Sequence, residues 1–185
     1  MLPCFCLFKV SLNPFFVLTR IGLLSDTHSF LDERLFEHFK DCDEVWHAGD
    51  VGTRQIVDQL AAFKPLRAVL GNIDSRQIGL PEHQRFEIEG LRIWMTHIGG
   101  VPPRYNPAVR PELQSNPPAI FICGHSHILR VLRDPQHANL LYINPGAAGK
   151  EGFHKVRTAL RFGIDNGKIV DMELIELGKR GSINE

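Results

Sequence analysis

RIGLLSDTH, residues 20–28, joins a run of apolar residues to an aspartate and a histidine two positions apart. Side chains alternate in direction along an extended chain, so Asp26 and His28 leave the backbone on the same side. Both can reach one point just past a strand end, which suits a metal ion. Aspartate and threonine also make good helix caps, so this stretch alone leaves both readings open.

Strands and helices alternate from here. LDERLFEHFK (31–40) carries Leu31, Leu35, Phe36 and Phe39 at helical spacing. EVWHA (44–48) reads as a short strand, and TRQIVDQLAAF (53–63) as a helix with Thr53 at its N-cap. LRAVLGN (66–72) is a third strand. This β-α-β-α-β order favours a mostly parallel sheet with helices packed on it. The second half is strand-rich. QRFEIEG and LRIWMTH are joined at Gly90, and AIFICGH, LRVLRD, NLLYINP, RTALRFGID and GKIVDMELIEL follow. Turn signals such as Asp165-Asn166-Gly167 predict antiparallel pairing at the end. Between them, residues 98–118 hold six prolines and two glycines. They predict a long functional loop, with Arg104 and Tyr105 placed to contact a phosphate or a base.

The polar residues fall at the strand ends. The first strand runs into Asp26-Thr27-His28, the second into Gly49-Asp50 and the third into Gly71-Asn72-Ile73-Asp74. LRIWMTH ends at His97, and AIFIC runs into Gly124-His125-Ser126-His127. In open α/β sheets, ligands bind in the crevice beyond the carboxyl ends of the strands. Taken singly, Asp-x-His, Gly-Asn-x-Asp and a lone His97 have ordinary structural uses, whereas His125-x-His127 on a short turn has few. Five in succession, all delivering Asp, His or Asn to one edge, point to a metal centre. Imidazole, carboxylate and amide oxygen suit Mn²⁺, Fe²⁺ and Zn²⁺. Seven ligands exceed what one tetrahedral ion takes, whereas two ions sharing a carboxylate would use them. Paired ions clamp both oxygens of a displacement at phosphorus, and they lower the pKa of a bridging water. His47 is expected to pack beside such a site. His38, His83, His137 and His154 are read as ordinary histidines.

Composition bounds the rest. The chain has 185 residues, 43% hydrophobic and 23% charged, with 21 basic and 21 acidic side chains. That suits one soluble domain, and zero net charge gives no electrostatic footprint for nucleic acid or an anionic membrane. Cys4, Cys6, Cys42 and Cys123 form neither a disulfide framework nor a zinc ribbon, so a reducing, cytoplasmic setting is expected. Residues 1–19 are apolar. They lack a basic n-region and a small-residue cleavage site, and Lys9 and Pro14 interrupt them. They are read as an N-terminal extension outside the fold, with the domain proper at 20–185.

The order D-x-H, GD, GN-x-D, H, GH-x-H resembles the calcineurin-like metallophosphoesterase superfamily, and in particular its small single-domain phosphodiesterases. The resemblance covers roughly residues 20–177. It implies an α/β fold, a four-layer α/β/β/α sandwich of two mixed sheets flanked by helices, with a dinuclear metal site at one end. By that resemblance Asp26, His28, Asp50 and His127 hold one ion, Asp50 bridges, and Asn72, His97 and His125 hold the other. Manganese is the expected metal, with iron, zinc, nickel or magnesium as alternatives. The GN-x-D motif makes Asn72 and Asp74 the candidate catalytic residues, Asp74 by orienting a ligand or bracing its loop. Asn144-Pro145-Gly146 matches the family's turn after a late strand. Two departures stand out. Many relatives carry a histidine where this chain has Ile73, and there it helps the leaving group. Small relatives often read His-Gly-His where this chain has His97-Ile98-Gly99. The expected partner is a small phosphate ester, without stable nucleic-acid binding or a membrane; a homo-oligomer is compatible. A retromer coat subunit of the same fold acts as a non-catalytic scaffold. It has lost several ligands, and all seven stand here.

Overall fold

Alternation along each strand decides what each sheet face meets. The computed structural model describes residues 18–181. In chain order the elements are β1 (Thr19–Leu24), α1 (Arg34–His38), β2 (Glu44–His47), α2 (Arg54–Phe63), β3 (Leu66–Ala68), β4 (His83–Ile88), β5 (Leu91–Thr96), β6 (Gly100–Val101), β7 (Arg104–Tyr105), α3 (Arg110–Ser115), β8 (Ile120–Ile122), β9 (Leu129–Asp134), β10 (Leu140–Pro145), β11 (Val156–Asp165) and β12 (Lys168–Lys179). They form two five-stranded sheets, ordered β12-β11-β1-β2-β3 and β4-β5-β8-β10-β9. Both are mixed. β1-β2, β2-β3, β5-β8 and β8-β10 are parallel, and β12-β11, β11-β1, β4-β5 and β10-β9 are antiparallel.

Ile21, Leu23, Trp46 and Val69 of the first sheet share a core with Ile93, Met95, Ile120, Ile122 and Ile143 of the second. One residue along, Leu24 and Val45 face the other way and pack with Leu35 and Phe39 of the α1 region and Ile56, Val57 and Leu60 of α2. Trp94, Phe121 and Tyr142, alternating with the shared core, meet Tyr105, Val109 and Leu113. Each fully buried large side chain contributes about 1.5–3 kcal/mol, so each of these clusters is worth several side chains.

β11 pairs antiparallel with β1, so the first sheet is mixed, as the family resemblance implied, where the β-α-β-α-β order by itself favoured a mostly parallel one. Alternation specifies a face but not which sheet a strand joins. Residues 98–118 are not one structureless loop. They contain the β6–β7 hairpin and α3, whose Val109 and Leu113 are buried four residues apart. Pro111 sits at the helix start, where its missing N–H costs nothing. Its presence signalled a boundary rather than a loop. Finally, β1 begins at Thr19, paired with Ile164, one residue before the expected domain start. The remainder of the expected extension, residues 1–17, lies outside the described residues. Among the described residues, no helix is long and apolar enough to cross a membrane.

A buried ion pair ties the loop after β1 to the returning strands. Arg157, 1% exposed, donates from Nη1 to Asp32 Oδ2 at 2.7 Å, from Nη2 to Leu177 O and from Nε to Lys179 O. Burial pushes the Asp32 carboxyl up, but hydrogen bonds from Arg34 and Arg157 outweigh it and hold the group well below the usual carboxylate range. Its stabilising contribution is therefore present above the ordinary carboxylate pKa and is lost as pH falls through the lowered one. Lysine cannot reproduce the three-pronged donor set. Arg157→Lys should cost about 1–3 kcal/mol, the typical penalty for orphaned buried groups, read from urea unfolding at pH 7. Wild-type stability there would mean that the pair adds nothing net.

Candidate metal centre

Five strand-end loops are stitched together by backbone bonds before any side chain is considered. Asp26 N–H donates to Gly49 O at 2.9 Å, His28 N–H to Asp50 O at 3.0 Å, Gly124 N–H to His97 O at 3.1 Å and Gly149 N–H to Asp26 O at 3.0 Å. His47 is buried among them. It accepts from Gly49 N–H through Nδ1 and bonds Thr27 Oγ1 at 2.9 Å through Nε2, the packing role expected of it. Burial lowers its pKa to about 4 despite the surrounding carboxylates, so it serves as a neutral brace. Asp26, His28, Asp50, His125 and His127 all have φ between 47° and 67°. Non-glycine residues visit this left-handed region uncommonly, and such strain clusters at functional sites. Gly71 lets two loops close up: a Cβ there would lie 2.0 Å from Asp50 N and 2.1 Å from Asp50 Oδ1.

Six of the seven expected side chains converge in two groups, and Asn72 lies beside the second. Asp26, His28 and His127 form one, Asp50, His97 and His125 the other, with the ligand atoms of each within 4.8 Å of one another. His127 Nε2 stands 3.1 Å from Asp26 Oδ1 and 3.3 Å from His28 Nε2. His97 Nε2 stands 3.2 Å from Asp50 Oδ1 and 3.1 Å from Asn72 Oδ1. Asp50 faces both groups, since its Oδ2 is 3.5 Å from His28 Nε2.

The donor count tests whether these residues fit metal ions. His97 Nδ1 donates to Ala48 O at 2.8 Å, so Nε2 of the neutral ring is a lone pair facing the Asp50 carboxylate and the Asn72 amide. Either a proton on Nε2 or a metal ion balances that convergence, and N and O donors of this kind hold divalent ions at about 2.0–2.2 Å. Burial alone would depress the His97 pKa, yet Asp50 and Asp26 hold it above its ordinary value. Asp50 is lowered, its burial outweighed by His97, the Ile73 N–H and His28. Both directions say that the site favours positive charge. The residues present fit divalent ions.

Asp74 stands apart. Its carboxylate accepts N–H groups from Gly52 at 2.7 Å, Gly71 at 2.8 Å and Val51 at 3.2 Å. It braces the loops carrying Asp50 and Asn72, which matches the loop role and leaves Asn72 as the GN-x-D residue at the centre. A cleft of about 330 Å³ opens beside Asn72 and His97, walled by His83, Ile98, Asn106 and Val109. The 98–118 segment thus borders the centre, but through other residues than expected. Tyr105 is buried, donating to Asp134 Oδ2 at 2.7 Å, and Arg104 is exposed without lining this cleft. His154, read as ordinary, lies 3.3 Å from His127 Nδ1 through its own Nδ1. The signal for it was available: it follows β10, a sixth strand ending at the same edge.

With the fold and centre in view, similarity to known proteins can be placed. Residues 19–167 match the family model for the calcineurin-like phosphoesterase superfamily domain. A probable metallophosphoesterase of Methanothermobacter thermautotrophicus is 34% identical over 137 residues, 69% of this chain and 76% of that protein. A solved archaeal phosphodiesterase superposes with a TM-score of 0.66 at 21% identity, covering 86% of this chain and 100% of that one. Vps29 of Chaetomium thermophilum superposes equally, with a TM-score of 0.66 at 17% identity over 87% and 99% of the two chains. At such identities the two structures speak for the fold alone. The chain belongs to the calcineurin-like phosphoesterase superfamily, a metal-dependent family whose fold is α/β with two mixed five-stranded sheets.

Proposed function

We propose that this protein hydrolyses phosphate esters, diesters in preference, with two divalent ions held by Asp26, His28, Asp50, Asn72, His97, His125 and His127. The observation that carries the proposal is the convergence of acceptor atoms from five strand ends into two groups that share Asp50. Paired ions supply a water-derived nucleophile at neutral pH and neutralise charge at phosphorus. The chain supplies the rest. Asp50 sets the spacing of the groups, Asn72 presents an amide at the mouth of the cleft, and His47 and Asp74 keep the loops from relaxing. The ester's organic group would lie in the cleft, where Ile98 and Val109 offer apolar surface and His83 and Asn106 offer polar contacts. Mixed imidazole, carboxylate and amide donors accept Mn²⁺, Fe²⁺ or Zn²⁺, and Mn²⁺ is taken as the metal on the family resemblance.

The test is hydrolysis by purified protein of matched phosphomonoesters and diesters, with each divalent metal in turn. Turnover of diesters with Mn²⁺ is expected. No turnover with any metal would leave the scaffold reading. We further propose that residues 1–17 are dispensable. A chain starting at Leu18, whose side chain borders Gly163, should fold and keep full activity; aggregation would show that the removed segment packs on the domain.

A further inference from the structure

Outside the seven side chains, one more histidine is built into the centre. His154 Nε2 lies 3.0 Å from Gly149 O. A carbonyl only accepts, so Nε2 carries the proton and Nδ1 of the neutral ring is a bare lone pair. That lone pair is 3.3 Å from His127 Nδ1, which must then donate. The chain of donors runs from His127 Nδ1 to His154 Nδ1, and from His154 Nε2 to Gly149 O. It leaves His127 Nε2 unprotonated and aimed at Asp26 and His28, the form a metal ligand needs.

A second observation is independent of protons. Gly152, two residues earlier, has φ +110°, and a Cβ there would lie 2.1 Å from His127 Nδ1 and 2.4 Å from Cε1. The 149–154 loop is therefore pressed against the imidazole face of His127. Gly149 is anchored at its other side by the N–H bond to Asp26 O, and Arg180 bonds Gly152 O. The loop holds one ligand and is tied to the backbone of another.

We infer that His154 is a positioning residue that fixes the tautomer and ring orientation of His127, so that the Asp26–His28–His127 group is ready for its ion before the ion arrives. This rests on the proposed metal function. Partners of this kind are typically worth 10–100-fold in metal affinity.

The test is calorimetric titration of the full chain with Zn²⁺, alongside ¹H–¹⁵N spectra of the histidine rings. His154→Ala should weaken one of the two binding events about 10–100-fold and leave the other unchanged. A His127 Nδ1–H signal is expected in the wild type and should disappear in this variant. His154→Gln can accept from His127 through Oε1 and donate to Gly149 O through Nε2, so it should recover most of both. Unchanged affinities in His154→Ala would overturn the assignment. So would glutamine and alanine variants equally weak at both events with equal losses of melting temperature, which would mark a structural role only. A wild-type protein that binds no Zn²⁺ would overturn the metal reading itself, a result distinct from either.

Discussion

Asp50→Asn should remove at least one ion per chain and lower kcat by at least about 10²–10³-fold, the usual consequence of losing one preorganised electrostatic group. Asp50 faces both groups, with Oδ1 3.2 Å from His97 Nε2 and Oδ2 3.5 Å from His28 Nε2. Asparagine keeps an oxygen for the Ile73 N–H that Oδ1 accepts at 3.0 Å, so the loops should hold. What it cannot keep is a second negatively charged oxygen. Fold and function therefore separate cleanly. Without metal the variant should melt slightly below the wild type, because the Asp50 carboxylate, its burial outweighed by His97, the Ile73 N–H and His28 and its pKa so held below the ordinary value, favours the folded state at neutral pH. With Mn²⁺ the wild type should gain stability by binding, and the variant should gain less. Elemental analysis of Mn²⁺-loaded wild type completes the test: two ions per chain are expected. A single ion, or full activity in the variant, would sink the shared-carboxylate reading.

The candidate ligand set was legible because it rests on chain-local facts. Strand ends can be read from apolar runs that stop, and Asp-x-His, Gly-Asp and His-x-His are visible where they stop. The structure brings all seven together. What the sequence hid was relational. The left-handed backbone at Asp26 or His127 leaves no mark on residue type, since nothing but the crowded site imposes it. His154 looked ordinary because its role exists only through His127 and the carbonyl of Gly149. Tyr105 looked like a surface contact because it sits in a proline-rich segment. That segment nevertheless folds back on the second sheet, and the tyrosine is buried against Phe121 and Tyr142. Likewise, no pattern within RTALRFGID tells it to pair with β1 rather than with β10. Sheet choice follows from which apolar faces remain uncovered once the other strands are placed.

Ile73 carries the second large prediction, a steep dependence of rate on the leaving group. The residue is 47% exposed, beside Asn72, where many relatives place a histidine that helps the leaving group depart. Isoleucine cannot donate a proton. General-acid assistance is typically worth roughly 10²–10⁴-fold, so esters with poor leaving groups should be slower by that order than aryl esters that leave unaided. Asp74 cannot fill the gap, because its oxygens are engaged by three backbone N–H groups below the loop. The one imidazole in the cleft besides His97 is His83, and Trp94 Nε1 donates to its Nδ1 at 3.4 Å, which leaves the proton on Nε2. A series of aryl and alkyl diesters decides the matter. Log kcat/KM should fall steeply with leaving-group pKa in the wild type, and Ile73→His should flatten the slope by speeding the poor leaving groups alone. A flat wild-type slope would mean that a proton is already being delivered. If the slope then steepened in His83→Ala, the donor would be His83 and the cleft would be its seat.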